Sequence, residues 1–326
     1  HFQVNLKSYN AIGDKEVESV KDFIEEAIEG GFYNIDIDTS TLVDLDKSST
    51  KEQQRLNFEI GATLAKHIRD HEPEGVTISI GGEIGEVGGK NSTVEELNAY
   101  VDGFNETLEK MSPGAIGMSK ISVQTGTSHG GVPLPDGTVA EVALDFSVLE
   151  DLGKVCRDTY AISGTVQHGA STLPDNAFHR FKEAQASEVH LATGFQNLVM
   201  DHKTFPADLT ERIQAWLSVN CAKDKKADQT QKQFFYKTRK KGFGPFKAET
   251  WYLDADTKSA IMKDLEDKFL FLFEQIGLKD SKELLNSFIK PVIVKKAVPA
   301  KFKALLEDPL SFGMAHGTEE DEPGAD

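Results

Sequence analysis

The chain is poor in cysteine and in positive charge, and it has no long apolar run. Two cysteines, Cys156 and Cys221, are too few for a disulfide framework or a cysteine-based metal site, which favours a reducing compartment and a cytoplasmic location. Lysine and arginine number 36 against 53 aspartates and glutamates, a net charge of −17. That balance argues against nucleic acid or an anionic membrane surface as the main partner. It leaves room for a small anionic substrate, because a phosphate needs only local backbone amides and a few cations. No apolar stretch reaches the ~20 residues of a membrane span. What remains is globular: 39% hydrophobic and 27% charged over 326 residues, enough for one large α/β domain with an appendage or for two domains. The sequence shows no internal repeat.

Helical periodicity marks residues 14–29, with Val17, Val20, Phe23, Ile24 and Ile28 on one face, and residues 50–70, with Leu56, Ile60, Leu64 and Ile68. Ser92-Thr93-Val94-Glu95-Glu96 has capping-box character and opens a helix to about residue 111. Further helices are expected over about 145–157 and 174–185. Residues 1–10 read as a short polar lead-in. Strands are expected over 32–38, 76–80, 120–126, 160–166 and 187–192, and their alternation with helices predicts a parallel sheet. Asp38, Glu83, His129, His168 and His190 fall at successive strand ends. Chemistry spread over strand ends suits a (β/α)8 barrel better than an open sheet, which gathers it at one switch point. Five strands fall short of the eight that close such a barrel.

The C-terminal third differs. Residues 223–247 are polar and locally basic, with Lys225, Lys226, Lys237, Arg239, Lys240 and Lys241 around Phe234-Phe235-Tyr236. They read as a solvated loop or linker with anchoring aromatics, or as a lid whose cations reach a phosphate. Helices over about 255–277 and 280–290 follow, and Leu270-Phe271-Leu272-Phe273 suggests packing on the barrel or on a partner subunit. The acidic end is expected to be disordered. The resulting division is a barrel over 1–222, a basic loop and helical extension over 223–317, and a tail over 318–326.

Two phrases carry the chemistry: Gln124-Thr125-Gly126-Thr127-Ser128-His129-Gly130-Gly131 and Thr165-Val166-Gln167-His168-Gly169-Ala170-Ser171. Each puts a histidine where an apolar strand should end, then a glycine where the backbone turns. The histidines are 39 residues apart, room for one helix and its loops. Imidazoles at the same end of neighbouring parallel strands can share one metal ion. The alternative is a pair of structural histidines.

The ordered set of strand ends resembles the class II, zinc-dependent fructose-bisphosphate aldolase family over roughly residues 1–201. Asn34-Ile35-Asp36-Ile37-Asp38-Thr39-Ser40 is similar to that family's fourth-strand end, and Gly82-Glu83-Ile84-Gly85-Glu86-Val87-Gly88-Gly89 to the segment after its fifth. The two His-Gly phrases match its zinc-ligand segments after strands six and seven, and Ser187-Glu188-Val189-His190-Leu191-Ala192-Thr193 falls at its eighth. The family's first zinc ligand precedes the fourth-strand Asp by nearly the interval that separates His1 from Asp38. The resemblance therefore implies metal ligation by His1, His129 and His168, with Glu83 orienting them or holding metal in an alternate position. It implies that the barrel's first three strands lie upstream of His1, the other reading of His1 being an arbitrary start. It further implies Zn2+ or another divalent transition metal as cofactor, a sugar phosphate as substrate, a place in glycolysis, and a homodimer or higher homo-oligomer. Gly130, Gly169, Ser171, His190 and Thr193 would bind substrate or its phosphate, and Asp38 would assist catalysis.

The sequence departs from the family at substrate-facing positions. The family's mobile loop supplies a proton-abstracting Glu after Gly-Gly, whereas Gly88-Gly89 runs into Lys90-Asn91-Ser92, which leaves Glu86 as the nearest carboxylate. The family's phosphate Lys after the first His-Gly gives way to Val132-Pro133-Leu134-Pro135. His190 stands where the family has an Asn, and Ala192 where it has an acid. The chain also extends further at its C-terminus, and Ala192-Thr193-Gly194-Phe195 resembles the non-catalytic companion subunit of tagatose-bisphosphate aldolase, which lacks the His-Gly pairs. Expected reactions are thus aldol cleavage of a ketose bisphosphate, support of a partner aldolase, or lyase chemistry on a non-phosphorylated substrate. A lysine Schiff base needs a desolvated Lys at a strand end, and none of the expected strand ends supplies one.

Overall fold

Six parallel strands form one sheet in the order of the chain: β1 (Phe2–Gln3), β2 (Asn34–Asp38), β3 (Ser79–Glu83), β4 (Lys120–Ser122), β5 (Thr165–Gln167) and β6 (Glu188–Val189). The computed structural model describes residues 1–84, 90–126, 133–135 and 144–295. Helices α1 (Leu6–Ile12) and α2 (Asp14–Gly30) connect β1 to β2, α3 (Thr50–His71) connects β2 to β3, and α4 (Val94–Met111) connects β3 to β4. Next come α5 (Phe146–Tyr160) and the short α6 (His179–Glu183), on either side of β5. Parallel crossovers share one hand, so a sheet laid down in strict chain order carries its helices on one face.

That face is apolar. Val17, Val20, Ile24 and Ile28 of α2, Phe58, Ala62, Ala65 and Ile68 of α3, and Leu97, Val101, Phe104 and Leu108 of α4 join Ile35, Ile37, Ile80 and Ile121 in one core. The helices start where the sequence caps them. Ser49 accepts the Glu52 N–H, and Thr93 and Glu96 form a reciprocal capping box. Gly103 of α4 lets α3 approach, since a Cβ there would lie 2.5 Å from the Phe58 ring.

The α/β, parallel-strand expectation holds, with corrections to its elements. Residues 1–10 were expected to be a lead-in with the neighbouring strand upstream of His1, yet they contain β1, which pairs with β2 as a sixth strand, and most of α1. The strand expected at 160 begins at Thr165, because Leu149, Leu152 and Cys156 carry the helical repeat on to Tyr160. Ala161 then ends α5 in the left-handed conformation. The strand expected over 76–80 begins at Ser79 and runs on through Gly81 and Gly82 to Glu83. The helix expected over 174–185 is a 3-10 turn, Asp175–Ala177, followed by α6.

Beyond β6 the described residues are mostly helical. Helices α7 (Thr193–Met200), α8 (Ala207–Asn220), α9 (Gln231–Thr238), α10 (Lys247–Trp251), α11 (Ala255–Gln275) and α12 (Lys282–Phe288) follow in turn. The stretch read as a basic loop or lid contains α9, opened by a Thr230–Gln233 capping box. Its Phe234 is 1% exposed and packs with Leu209, Ile213, Leu217 and Ile261 in a second apolar core. Three cations of that stretch are tied down: Arg239 pairs with Asp201, Lys241 with Asp224, and Lys225 bonds Gln231. Two compact units divide the chain, His1–Leu285 and Asn286–Asp326. The described part of the second, residues 286–295, holds the end of α12 and a largely exposed stretch without regular structure. No helix among the described residues is long and apolar enough to cross a membrane.

Candidate functional site

Side chains alternate along a strand, and directly paired residues of parallel neighbours point the same way. The observed register, Gln3↔Asp38, Asp36↔Gly81, Gly81↔Lys120, Glu83↔Ser122, Ser122↔Val166 and Val166↔Glu188, therefore puts one set of residues on the face away from the helices. That set comprises Gln3, Asn34, Asp36, Asp38, Ser79, Gly81, Glu83, Lys120, Ser122, Val166 and Glu188. His1, His168 and His190 continue it by two residues beyond a set member or a directly paired position. The isoleucines between these residues face the helices. The sheet is curled enough that Asn34 Nδ2 of β2 donates to Glu188 Oε1 of β6 at 3.1 Å.

At the lower end of this face Lys120 is 1% exposed. Its ammonium lies 3.2 Å from both Asp36 Oδ1 and Glu188 Oε1, donates to Ser79 Oγ at 2.9 Å, and also bonds Asn34 Oδ1. Gly81 makes room for the pair, because a Cβ there would fall 2.2 Å from Asp36 Oδ1. Sequence reasoning missed this lysine because it starts β4 rather than ending it. A Schiff-base lysine must shed its proton in a desolvated pocket, whereas Lys120 sits between two carboxylates.

At the upper end, His1 Nε2 lies 3.2 Å from Asp38 Oδ2. Asp38 also accepts from Ser40 Oγ at 2.6 Å, from the Ser40 N–H and from Gln3 Nε2. Burial works against its charge, but the bonds from His1, Ser40 and Gln3 prevail and hold its carboxyl down at about 2. The same His1–Asp38 bond raises the His1 imidazole above its ordinary value, against desolvation. His168 is buried, with Nε2 3.1 Å from Ser122 Oγ and Nδ1 3.6 Å from Glu83 Oε2. Its ring stands edge-on to His1, 5.1 Å between centroids, and stacks on His190 at 4.7 Å. His190 is held between carboxylates, Nδ1 3.3 Å from Asp36 Oδ2 and Nε2 2.9 Å from Glu188 Oε2. Burial opposes the Glu188 charge, yet its bond to His190 and the neighbouring Lys120 and Asn34 lower its pKa.

The residues expected at the site thus fall into three groups. His1, Asp38, Glu83, His168 and His190 come together. Gly169, at φ 73°, turns the chain directly after His168, and Ser171 Oγ accepts the Ala192 N–H at 3.0 Å just before α7 begins at Thr193. Gly194 lies so close to this turn that a Cβ would be 3.1 Å from Ser171 O. Among the described residues no side chain caps the α7 N-terminus. Glu86, His129 and Gly130 lie outside the described residues. Asp36, Ser122, Lys120 and Glu188 were not anticipated, although the spacing Asn34-x-Asp36-x-Asp38 already places three polar residues on one strand face. His179 and Glu183 are exposed on α6, as their place in the helical stretch 174–185 implies for residues on its surface. His202 follows α7 with its side chain buried, 2.7 Å from Thr204 Oγ1 and 3.1 Å from Asp264 Oδ2.

The donor atoms suit a metal. His1, Asp36 and His168 each bring one within 4.8 Å of the others, as do His1, Asp38 and Glu83. Two imidazoles backed by carboxylates and a hydroxyl form the nitrogen–oxygen donor set that divalent zinc-class ions take, with outer partners that orient the rings. Fold and site together define a parallel α/β protein with candidate metal ligands at its strand ends. Residues 15–248 match the family model described as fructose-bisphosphate aldolase class-II, and the chain belongs to that family. No curated protein matches it. Family membership supports an aldolase-type lyase.

Proposed function

We propose that the chain is a metal-dependent aldolase that cleaves or forms a carbon–carbon bond in a ketose phosphate. The default reaction is fructose 1,6-bisphosphate to dihydroxyacetone phosphate and glyceraldehyde 3-phosphate, with its place in glycolysis. The observation that carries this reading is the convergence of His1, His168, Asp38 and Glu83 at one end of a parallel sheet, in a chain of this family. The sheet is read as part of a (β/α)8 barrel, supported by its sequential strand order and by the contact between β2 and β6 side chains.

His1 and His168, with His129 after β4, would hold Zn2+ or another divalent transition metal. Such an ion supplies Lewis acidity toward a substrate carbonyl. The other work falls to the chain. Asp38, held ionised, fixes the His1 ring. Ser122 and Glu83 flank both nitrogens of His168. Cleavage removes a proton from the carbinol beyond the breaking bond and returns one to the carbon beside the carbonyl. Glu86 is the nearest carboxylate to the loop where the family keeps its base. His190 presents an imidazole to the substrate side, gripped by Asp36 and Glu188. Backbone N–H groups at Gly169, Ser171 and the uncapped α7 N-terminus would receive a phosphate. The active form is proposed to be a homodimer or larger homo-oligomer.

A second reading is a non-catalytic companion that stabilises another aldolase. Ala192 and the lack of a Glu directly after Gly88-Gly89 favour it. The test is a coupled cleavage assay on the purified full chain, stripped with chelator and reloaded with Zn2+, beside His168→Ala. Product formation that needs metal and disappears in His168→Ala supports the aldolase. Zinc binding without cleavage of fructose or tagatose bisphosphate overturns it in favour of the companion. Protection by inorganic phosphate, lost on Ser171→Ala, would separate a phosphorylated substrate from a neutral one.

A further inference from the structure

A second gathering of imidazoles lies on the outer layer, where α2 meets α3. His67 and His71 are four residues apart on α3 and share one helix face. Glu25 of α2 reaches that face, with Oε1 3.0 Å from His67 Nε2 and 3.4 Å from His71 Nε2. The two rings are 4.2 Å apart between centroids, and the three donor atoms all lie within 4.8 Å of one another. The nearby cation Lys21 is engaged by Glu18 at 2.7 Å.

Hydrogen bonding fixes one of the tautomers. His71 Nδ1 lies 2.8 Å from the His67 carbonyl oxygen. A carbonyl only accepts, so Nδ1 carries the proton, and in the neutral ring the Nε2 lone pair points at Glu25. His67 Nε2 is buried and has no well-directed hydrogen bond among the described residues, although Glu25 Oε1 is 3.0 Å away. The His71 lone pair and the Glu25 carboxylate oxygen repel each other unless a proton or a metal cation stands between them.

We propose that Glu25, His67 and His71 form a metal site distinct from the sheet interior, which takes a divalent transition cation of the zinc class and staples α2 to α3. Bonds of ~2.0–2.1 Å to a tetrahedral ion set neighbouring ligand atoms roughly 3.3–3.4 Å apart. The 3.0 and 3.4 Å separations in the structure bracket that edge. Two imidazoles and one carboxylate suit zinc or its first-row neighbours, not magnesium or calcium, which want oxygen alone. The His71 Nδ1–carbonyl bond is the outer partner that orients a ligating ring. His71 and Glu25 are 41% and 42% exposed, so a fourth position faces water.

The experiment is equilibrium dialysis of the metal-stripped full chain against ZnCl2, with stoichiometry by elemental analysis. It is run on the wild type, on His168→Ala, and on each of these carrying His71→Ala or Glu25→Gln. The expected result is the loss of about one zinc equivalent, or an affinity weakened at least about tenfold, on either outer substitution in both backgrounds, the tenfold floor being what loss of an outer-shell partner alone can cost. Cobalt uptake should give intense visible bands that persist in His168→Ala and vanish in His168→Ala/His71→Ala. Unchanged stoichiometry and affinity in both His71→Ala and Glu25→Gln, with circular dichroism as in wild type, overturns the proposal. Failure of the sheet-interior site appears separately, as stoichiometry that is insensitive to His168→Ala.

Discussion

On the inner face of the sheet, His1 meets Asp38 across 37 residues of chain, and His168 meets Glu83 across a longer interval. Between α2 and α3, His67 and His71 share a face because they lie four residues apart, and Glu25 comes from the adjoining helix. The first cluster is assembled by strand pairing and is mostly buried; the second takes its two imidazoles from one helical repeat and its carboxylate from the packing of α2 on α3, and stays half open to water. A buried assembly must be charge-balanced throughout, since a single unpaired ion left inside costs several kcal/mol. Water can compensate at the helix seam. The difference teaches that the same three residue types carry structural consequence in one place and almost none in the other.

Removing the balancing cation is the sharpest way to break this comparison. Lys120→Met keeps the volume but strands Asp36 and Glu188, and the expected loss is ~3–5 kcal/mol of unfolding free energy in urea titration. Adding Asp36→Asn and Glu188→Gln to Lys120→Met should recover part of that loss. Equal instability of the triple variant would mean that packing, not charge, holds the interior. Gly81→Ala should come next, at ~1–3 kcal/mol, because its Cβ would press Asp36 Oδ1 from 2.2 Å. It should also weaken interior zinc binding, whereas Gly114→Ala, with nothing within 4 Å of the added carbon, should leave that binding alone.

A smaller effect is expected from pH. Glu188 is charged against burial with help from His190, Lys120 and Asn34, so its folded pKa lies below its unfolded one. A depressed carboxyl stabilises the fold fully above the ordinary glutamate range, near pH ~4.3, and loses that contribution as pH falls through the lower folded value. Glu188→Gln should therefore reduce stability at neutral pH and flatten its decline below pH ~4.5, read from urea midpoints against pH. A decline as steep as that of the wild type would assign the acid sensitivity to other carboxylates.

Much of the outer layer was legible because helical periodicity is local. Val17, Val20, Ile24 and Ile28 announce the buried face of α2, although Phe23, read with them, is exposed, and Leu64 and Ile68 announce that of α3, where Leu56 and Ile60 are only partly buried. The strands were read less well. β1 has two residues, and β3 runs through Gly81 and Gly82, whose missing side chains erase the alternation that marks a strand. The strand-end groups Asp38, Glu83, His168 and His190 were visible because each sits at a turn with glycine or a small residue nearby. Lys120 and Glu188 were not, since their partners lie 84 and 68 residues apart and meet only through register: Lys120 pairs with Asp36 and Glu188 with Lys120. Phe234 was read as a loop anchor because its neighbours are basic, yet its side chain belongs to a helical core built from residues that follow no strand.

The least effect is expected at the helix seam in the absence of metal. His71 is exposed and ends α3, and its contacts are a backbone carbonyl and a carboxylate open to water. His71→Ala should then change metal-free stability by no more than ~0.5 kcal/mol. Zinc is what should separate the two chains. A ligand that binds only the folded state adds stability as RT ln(1 + [L]/Kd), ~1.4 kcal/mol for each tenfold rise in free zinc above Kd. In a His168→Ala background, thermal midpoints should climb with zinc for the chain that retains His71 and stay nearly level for the one that lacks it. Parallel climbs in both would place the stabilising ion elsewhere and reduce the seam to an ordinary surface ion pair.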